Sequence, residues 1–398
     1  MSINREIWPR VSPWSKGPHS RRPPLFFRIK ESDVSVVKSV FWLSFLVVLY
    51  TYIGYPLILS AWRFLGKKRV RKGAVLPSVS VIVAVYNEEG NIERKLKNLF
   101  DLDYPASLLE IIISSDGSTD QTEARVTRWQ ERHPNGPSLL LLTAPTHVGK
   151  AAALNRAVAH ARGELLVFTD ARQRLDRRAV ALLATNFADD QVGAVSGELI
   201  LMERPEGEGA AGVGLYWRYE KWLRKMESDV DSTLGATGAI YAVRKSLYEP
   251  IPAETILDDV LIPMQVVFRG YRTVFEPKAR AYDFIAKGAG SEFVRKVRTL
   301  SGNYQLLWEV GPLWSWKKNR VFFQYFSHKV ARLAVPFMLM LLMLSNLFLM
   351  QGVYFVFFWL QVAWYGLAIL GGMSYGKVYP KTTPSAVSGA EAERGPAR

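Results

Sequence analysis

The sequence predicts an α/β domain built on a mostly parallel sheet and flanked by membrane-spanning helices. Over residues 76–310, short β-rich apolar runs alternate with runs of helical spacing. That alternation makes right-handed βαβ units. Apolar segments of membrane-crossing length lie on both sides of it. Acidic residues recur where such a sheet gathers ligands. Asp116 follows the run EIII, Asp170 ends ELLVFTD, and Asp258-Asp259 interrupt the apolar TILDDVLIP.

Residues 1–39 are basic and Pro-rich and read as a disordered tail. The first apolar run starts too late for a secretory signal peptide and lacks a small-residue cleavage site. Residues 40–62, VFWLSFLVVLYTYIGYPLILSAW, carry no charge and read as a transmembrane helix. Arg63, Lys67, Lys68, Arg69, Arg71 and Lys72 follow directly. By the positive-inside tendency this flank, and the domain after it, are cytoplasmic.

Within 76–310, PSVSVIVAVYN, LEIIISSDGS, LLLLTAP, GELLVFTD and VGAVSGELILM read as strands. Residues 88–100, 119–131 and 150–161 read as helices between them. GLYWRYEKWLRKMES is amphipathic and suits either a membrane surface or a core-facing helix. Residues 333–350 and 353–372 read as a membrane hairpin, preceded over 312–332 by an interfacial helix containing KKNRVFFQYFSHK. Residues 373–398 read as disordered.

Hydrophobic residues make up 49% of the 398 and aromatics 12%, high for a purely soluble protein. Cysteine is absent, which excludes disulfides and Cys-based zinc sites. The net charge of +15 comes without an aromatic-basic stacking platform or zinc knuckle, so it points to a membrane protein and not to nucleic acid.

Asp116 sits in SSDGSTD, where Gly117 permits a tight turn and Ser118 and Thr119 can cap the next helix. The acid can receive a ribose or base N–H, or it can serve a local turn. Glu88, in VAVYNEE, ends the first strand in the same layer and can add an acceptor. Asp170 is placed to hold Mg²⁺ or Mn²⁺ against a diphosphate, because hard cations take oxygen ligands. Two residues on, where a second acid would face the same way, stands Arg172; Asp176 is too far along to replace it. Asp258 and Asp259 are costly in an apolar stretch unless solvated, paired or used. One of them can act as a general base, and both can also favour a helix N-terminus. Arg295 and Arg298, in FVRKVRTLSGN, can clamp a diphosphate or face lipid headgroups. GEGAAG (residues 207–212) matches G-x-G-x-x-G, but its late position is wrong for a first βα turn, and it reads as a flexible loop.

In order along the chain, VSVIVAVYNEEGN, IIISSDGSTDQT, HVGKAAALNRA with GELLVFTDA, GATGAIYAVRKSLYEPIP and ILDDVLIPMQVV resemble the membrane-anchored glycosyltransferases of family 2, the group of bacterial polysaccharide synthases. The resemblance runs from about residue 40 to 370. It implies a GT-A type nucleotide-sugar domain with one N-terminal and two C-terminal transmembrane helices. It also implies inverting transfer from a UDP-sugar with Mg²⁺ or Mn²⁺, at the bacterial inner membrane. Asp116 then matches the nucleotide-contacting acid, Asp170 the first acid of D-x-D, and Asp259 the catalytic base with Asp258 before it. Lys150 matches a basic position near the donor. The Q-x-x-R-W signature keeps only Arg298, without its Gln and Trp. That departure and the short C-terminal membrane part favour addition of a sugar to a lipid-linked or polysaccharide acceptor over processive synthesis. Polysaccharide export partners fit the same setting. The alternatives are a processive synthase and a catalytically silent nucleotide-sugar-binding subunit.

Overall fold

The computed structural model describes residues 31–202, 213–284 and 289–378. The GEGAAG stretch and the outer parts of both expected tails lie outside these residues. The chain opens with α1 (Glu31–Leu49), a π-helical turn (Tyr50–Gly54) and α2 (Tyr55–Leu65). Together they form one apolar helical run, Asp33–Leu65, longer at both ends than the expected 40–62. The π turn has a local cause. Pro56 has no amide to offer the preceding turn, and the Tyr55 N–H reaches back to the Tyr50 carbonyl.

The domain then alternates β1 (Val79–Val85), α3 (Ile92–Phe100), β2 (Leu109–Ser115), α4 (Thr122–Arg132), β3 (Ser138–Thr143), α5 (Lys150–His160) and β4 (Leu165–Phe168). These strands pair in parallel in the order β3-β2-β1-β4. Next come β5 (Arg174–Leu175), α6 (Ala179–Ala184), β6 (Val192–Met202), α7 (Val213–Val230), β7 (Tyr241–Arg244), α8 (Asp258–Phe268) and β8 (Arg272–Phe284). The full order is β3-β2-β1-β4-β7-β6-β8-β5. β7 runs antiparallel to both neighbours, β6 and β8 are parallel, and β5 is antiparallel to β8.

Both faces of the sheet are covered. Val79, Val81, Val83 and Val85 point into one core and Ile82 into the other, as do Ile111 and Ile113 against Ile112. Burial on both sides explains why these strands read as continuous apolar runs. α3 begins at Ile92 and not at 88, because Glu88–Asn91 is a turn whose Glu88 carbonyl receives the Asn91 and Ile92 N–H groups. α7 packs Leu223, Met226 and Val230 onto Tyr55 and Leu59 of α2, the core-facing choice, although Tyr216 and Trp222 on it remain exposed.

After α9 (Ala289–Glu309), the expected interfacial helix over 312–332 is not one helix. A 3₁₀ turn covers Gly311–Trp314, and the chain turns before α10 (Phe322–Tyr325). α10, a second π turn (Phe326–Val330) and α11 (Ala331–Leu347) form a single run, Phe322–Leu347. It therefore begins well before the expected 333. α12 (Val353–Val378) supplies a third run, Val353–Gly371. All three runs are long and apolar enough to cross a membrane. Leu43, Leu57, Trp364 and Leu367 project outward on them without apolar partners, as lipid-facing side chains do.

The basic run after α2 has a structural task that its composition does not reveal. Arg63 and Lys67 pair with Asp229, Lys68 with Asp231, and Lys72 with Glu276. It fastens the first apolar helix to the end of α7 and to β8.

Candidate active site

A hollow of about 390 Å³ opens at the C-terminal ends of β1, β2 and β4. Strand order changes sense there, because the chain passes outward from β1 through β2 to β3 and then returns through α5 to β4 on the other side of β1, which is where open α/β sheets hold ligands. Glu88, Asp116, Lys150, Asp170 and Arg298 all line it.

Asp116 is buried, and its oxygens are already used. They accept the N–H groups of Val148 at 3.0 Å and Gly149 at 2.7 Å, and Oδ2 lies 2.9 Å from His147 Nδ1. The carboxylate that lines the hollow thus also braces the loop that opens α5. Gly149 takes φ +116° in that loop, and Gly117 at φ +72° lies so close to the Thr146 backbone that a Cβ would collide with it. Nor do Ser118 and Thr119 cap α4. That role falls to Asp120, whose carboxylate accepts the Thr122 N–H at 2.9 Å.

The braced loop delivers Lys150 at the first turn of α5. Its ammonium sits 3.0 Å from Asp170 Oδ1 and 3.2 Å from Asp258 Oδ2. Burial alone would favour the neutral amine. Asp258 and Asp170 outweigh burial and hold Lys150 charged, well above the ordinary lysine range.

Asp258 and Asp259 open α8. Asp258 is buried, and Asp259 accepts the Gly238 N–H at 3.1 Å, while its own carbonyl accepts the Ala236 N–H at 2.7 Å. The 235–238 loop therefore wraps the candidate base. Burial and then repulsion from Asp258 push Asp259 up to about 6, against the pull of Lys150 and Lys329. That value suits proton abstraction near neutral pH.

Arg298 reaches the hollow from the exposed face of α9; Arg295, one turn earlier, does not line it. Arg172 is tied to Asp283 of β8, with Nε at 3.0 Å and Nη2 at 2.8 Å. The residue standing in for the second D-x-D acid has thus acquired a buried carboxylate of its own. Sequence reasoning missed three more residues. His147 lies with its ring 4.1 Å from that of Tyr86 at the rim. Lys95 is fully buried and donates to Thr169 Oγ1 and the Gln173 carbonyl, both at 2.8 Å. It thereby grips the two ends of the segment carrying Asp170. Lys95 sits in the amphipathic IERKLKNLF, where nothing distinguishes it from Lys97.

Residues 80–251 match the family described as glycosyl transferase family 2. The chain is 25% identical over 236 residues to the poly-β-1,6-N-acetyl-D-glucosamine synthase of Staphylococcus aureus (strain MSSA476), covering 58% of this chain and 56% of that protein. It is 25% identical over 261 residues to the Bacillus subtilis (strain 168) protein named "Probable glycosyltransferase YdaM", covering 63% and 61%. It therefore spans roughly three-fifths of the length of these relatives. The mannosyltransferase PcManGT of Pyrobaculum calidifontis, solved with GDP-Man and Mn²⁺, superposes with a TM-score of 0.61 at 24% identity, over 84% of this chain and 97% of that one. The sheet with three apolar helices is thus a GT-A type fold with an N-terminal and two C-terminal candidate spans.

Proposed function

We propose that this chain is an inverting glycosyltransferase that moves a sugar from a UDP-sugar to a lipid-linked or polysaccharide acceptor in cell-envelope glycan synthesis. Its apolar helices would sit in the bacterial inner membrane, with the domain cytoplasmic. The observation that carries the reading is Lys150. One ammonium touches both the strand-end Asp170 and the helix-start Asp258, so a donor-side carboxylate and the neighbour of the candidate base meet at one cation, although Asp258 and Asp259 do not themselves line the hollow.

In this reading Asp259 takes the proton of an acceptor hydroxyl as that oxygen attacks C1 of the sugar. The bond from C1 to the diphosphate breaks, and its electron pair leaves with UDP. Lys150 and Arg298 face the developing negative charge. Tyr86 and His147 offer ring faces at the rim for the base.

The residues present fit a divalent ion in minimal form. Asp170 supplies one partly exposed carboxylate, and no group of three His, Asp or Glu gathers among the described residues. An ion held by Asp170 would take its other ligands from phosphate and water, as magnesium commonly does. Bound there it supplies charge neutralisation on the diphosphate.

Purified full-length protein in lipid, offered UDP-sugars with Mg²⁺ or Mn²⁺ and lipid acceptors, tests the reading. Acceptor-dependent UDP release supports it. Release with none of the sugars, alongside no UDP-induced thermal shift, contradicts it.

A further inference from the structure

A second polar cluster lies between Asp259 and the apolar helices. Glu220, Arg224 and Glu227 recur on one face of α7, and His328, Lys329 and Arg332 lie in and after the second π turn. Both of its carboxylates have close partners. Glu227 accepts from Tyr55 Oη at 2.9 Å and lies 2.6 Å from His328 Nδ1. Glu220 pairs with Arg332 and lies 3.4 Å from His328 Nε2. Burial opposes the ionisation of Glu220, yet His328 and Arg332 hold its carboxyl well below the usual range.

Two cations of the cluster make no close ion pair with a carboxylate among the described residues, although Glu220 and Glu227 attract both from further off. Lys329, half-buried, makes no ion pair or hydrogen bond there. Arg224, also half-buried, has only the Thr237 hydroxyl and the face of Phe275. Arg332 in addition keeps Nε and Nη2 buried and unpartnered. Partly buried charge with no carboxylate in direct contact is costly. Arg224 also connects directly to the reacting side, because Thr237 adjoins Gly238, whose N–H holds Asp259. Exposed Tyr52, under the Arg332 guanidinium, and exposed Tyr216, beside Glu220, form an aromatic flank of the cluster.

We propose that Arg224 and Lys329 form the subsite for the phosphate of a membrane-embedded acceptor. The phosphate supplies the missing negative charge, its lipid chain leaves along the aromatic flank, and its hydroxyl or sugar reaches Asp259. The acceptor role rests on the glycosyl-transfer reading; the binding of a lipid phosphate does not.

The test uses the full-length protein in phosphatidylcholine nanodiscs. Probes are a long-chain isoprenyl monophosphate, the matching alcohol, phosphatidylglycerol and inorganic phosphate. The monophosphate is expected to bind and the alcohol not. Arg224→Gln and Lys329→Gln should each weaken it by roughly tenfold or more, while the UDP-induced thermal shift stays unchanged. Arg224→Lys and Lys329→Arg should recover part of the binding, which separates a lost charge from a lost fold. Equal binding of the alcohol, unchanged binding by Lys329→Gln, or equal competition by phosphatidylglycerol or inorganic phosphate overturns the subsite. Asp259→Asn separates the two readings. It should bind the monophosphate normally and transfer no sugar, and retained transfer would sink the catalytic reading while leaving the subsite standing.

Discussion

Lys150 Nζ lies 3.0 Å from Asp170 Oδ1, joining the first turn of α5 to the end of β4. The same ammonium touches Asp258 on α8. Residues more than a hundred positions apart in the chain are thereby gathered around one cation. The loop behind that cation is held by Asp116, so the position of Lys150 depends on that carboxylate.

Asp116→Ala should therefore lose fold and donor binding together. Two backbone N–H groups lose a charged acceptor, a loss of about 2–3 kcal/mol, and α5 no longer holds Lys150 in place. Chemical denaturation and a UDP titration check this. A variant of full stability that has lost only UDP affinity would show Asp116 to be a ligand contact and not a brace.

The pH profile should carry the mark of Asp259. With its carboxyl pushed up to about 6 by burial and by Asp258, kcat/KM should fall about tenfold per unit as pH drops below that value. Asp258→Asn removes a repulsion that raises the group, so the acid limb should move to lower pH. A limb that stays put in that variant would remove Asp259 from the profile.

Lys95 should make stability depend on pH. Burial lowers it to about 7, against the pull of Asp170, while the unfolded chain keeps an ordinary lysine. Between about pH 7 and 10 the unfolded state therefore holds the extra proton, and stability rises with pH by up to ~1.4 kcal/mol per unit. Lys95→Met should remove that slope relative to the parent chain in denaturant titrations at several pH values. Parallel pH dependences in the two proteins would contradict the assignment.

The parallel half of the sheet was legible because its strands are buried on both faces and so appear as unbroken apolar runs such as EIII and LLVF. Asp170 and the Asp258-Asp259 pair stood out because charge beside such runs is costly. The use of Asp116 was not legible, since an acid in a turn looks the same whether it faces a ligand or the next loop. Lys95 and Asp283 were invisible for a related reason. Their partners, Thr169 with Gln173 and Arg172, are brought to them only by the fold. The first two apolar runs begin earlier than expected because Glu31–Val40 and Phe322–Ala331 carry polar residues on helices that continue straight into apolar ones.

The most direct measurement is sugar transfer by purified full-length Asp259→Asn beside the parent protein, with thermal unfolding recorded for both. Asp259 acting as the base predicts turnover lowered by roughly 10²–10⁴-fold at unchanged UDP affinity and stability. Near-parental turnover in a folded variant would contradict it.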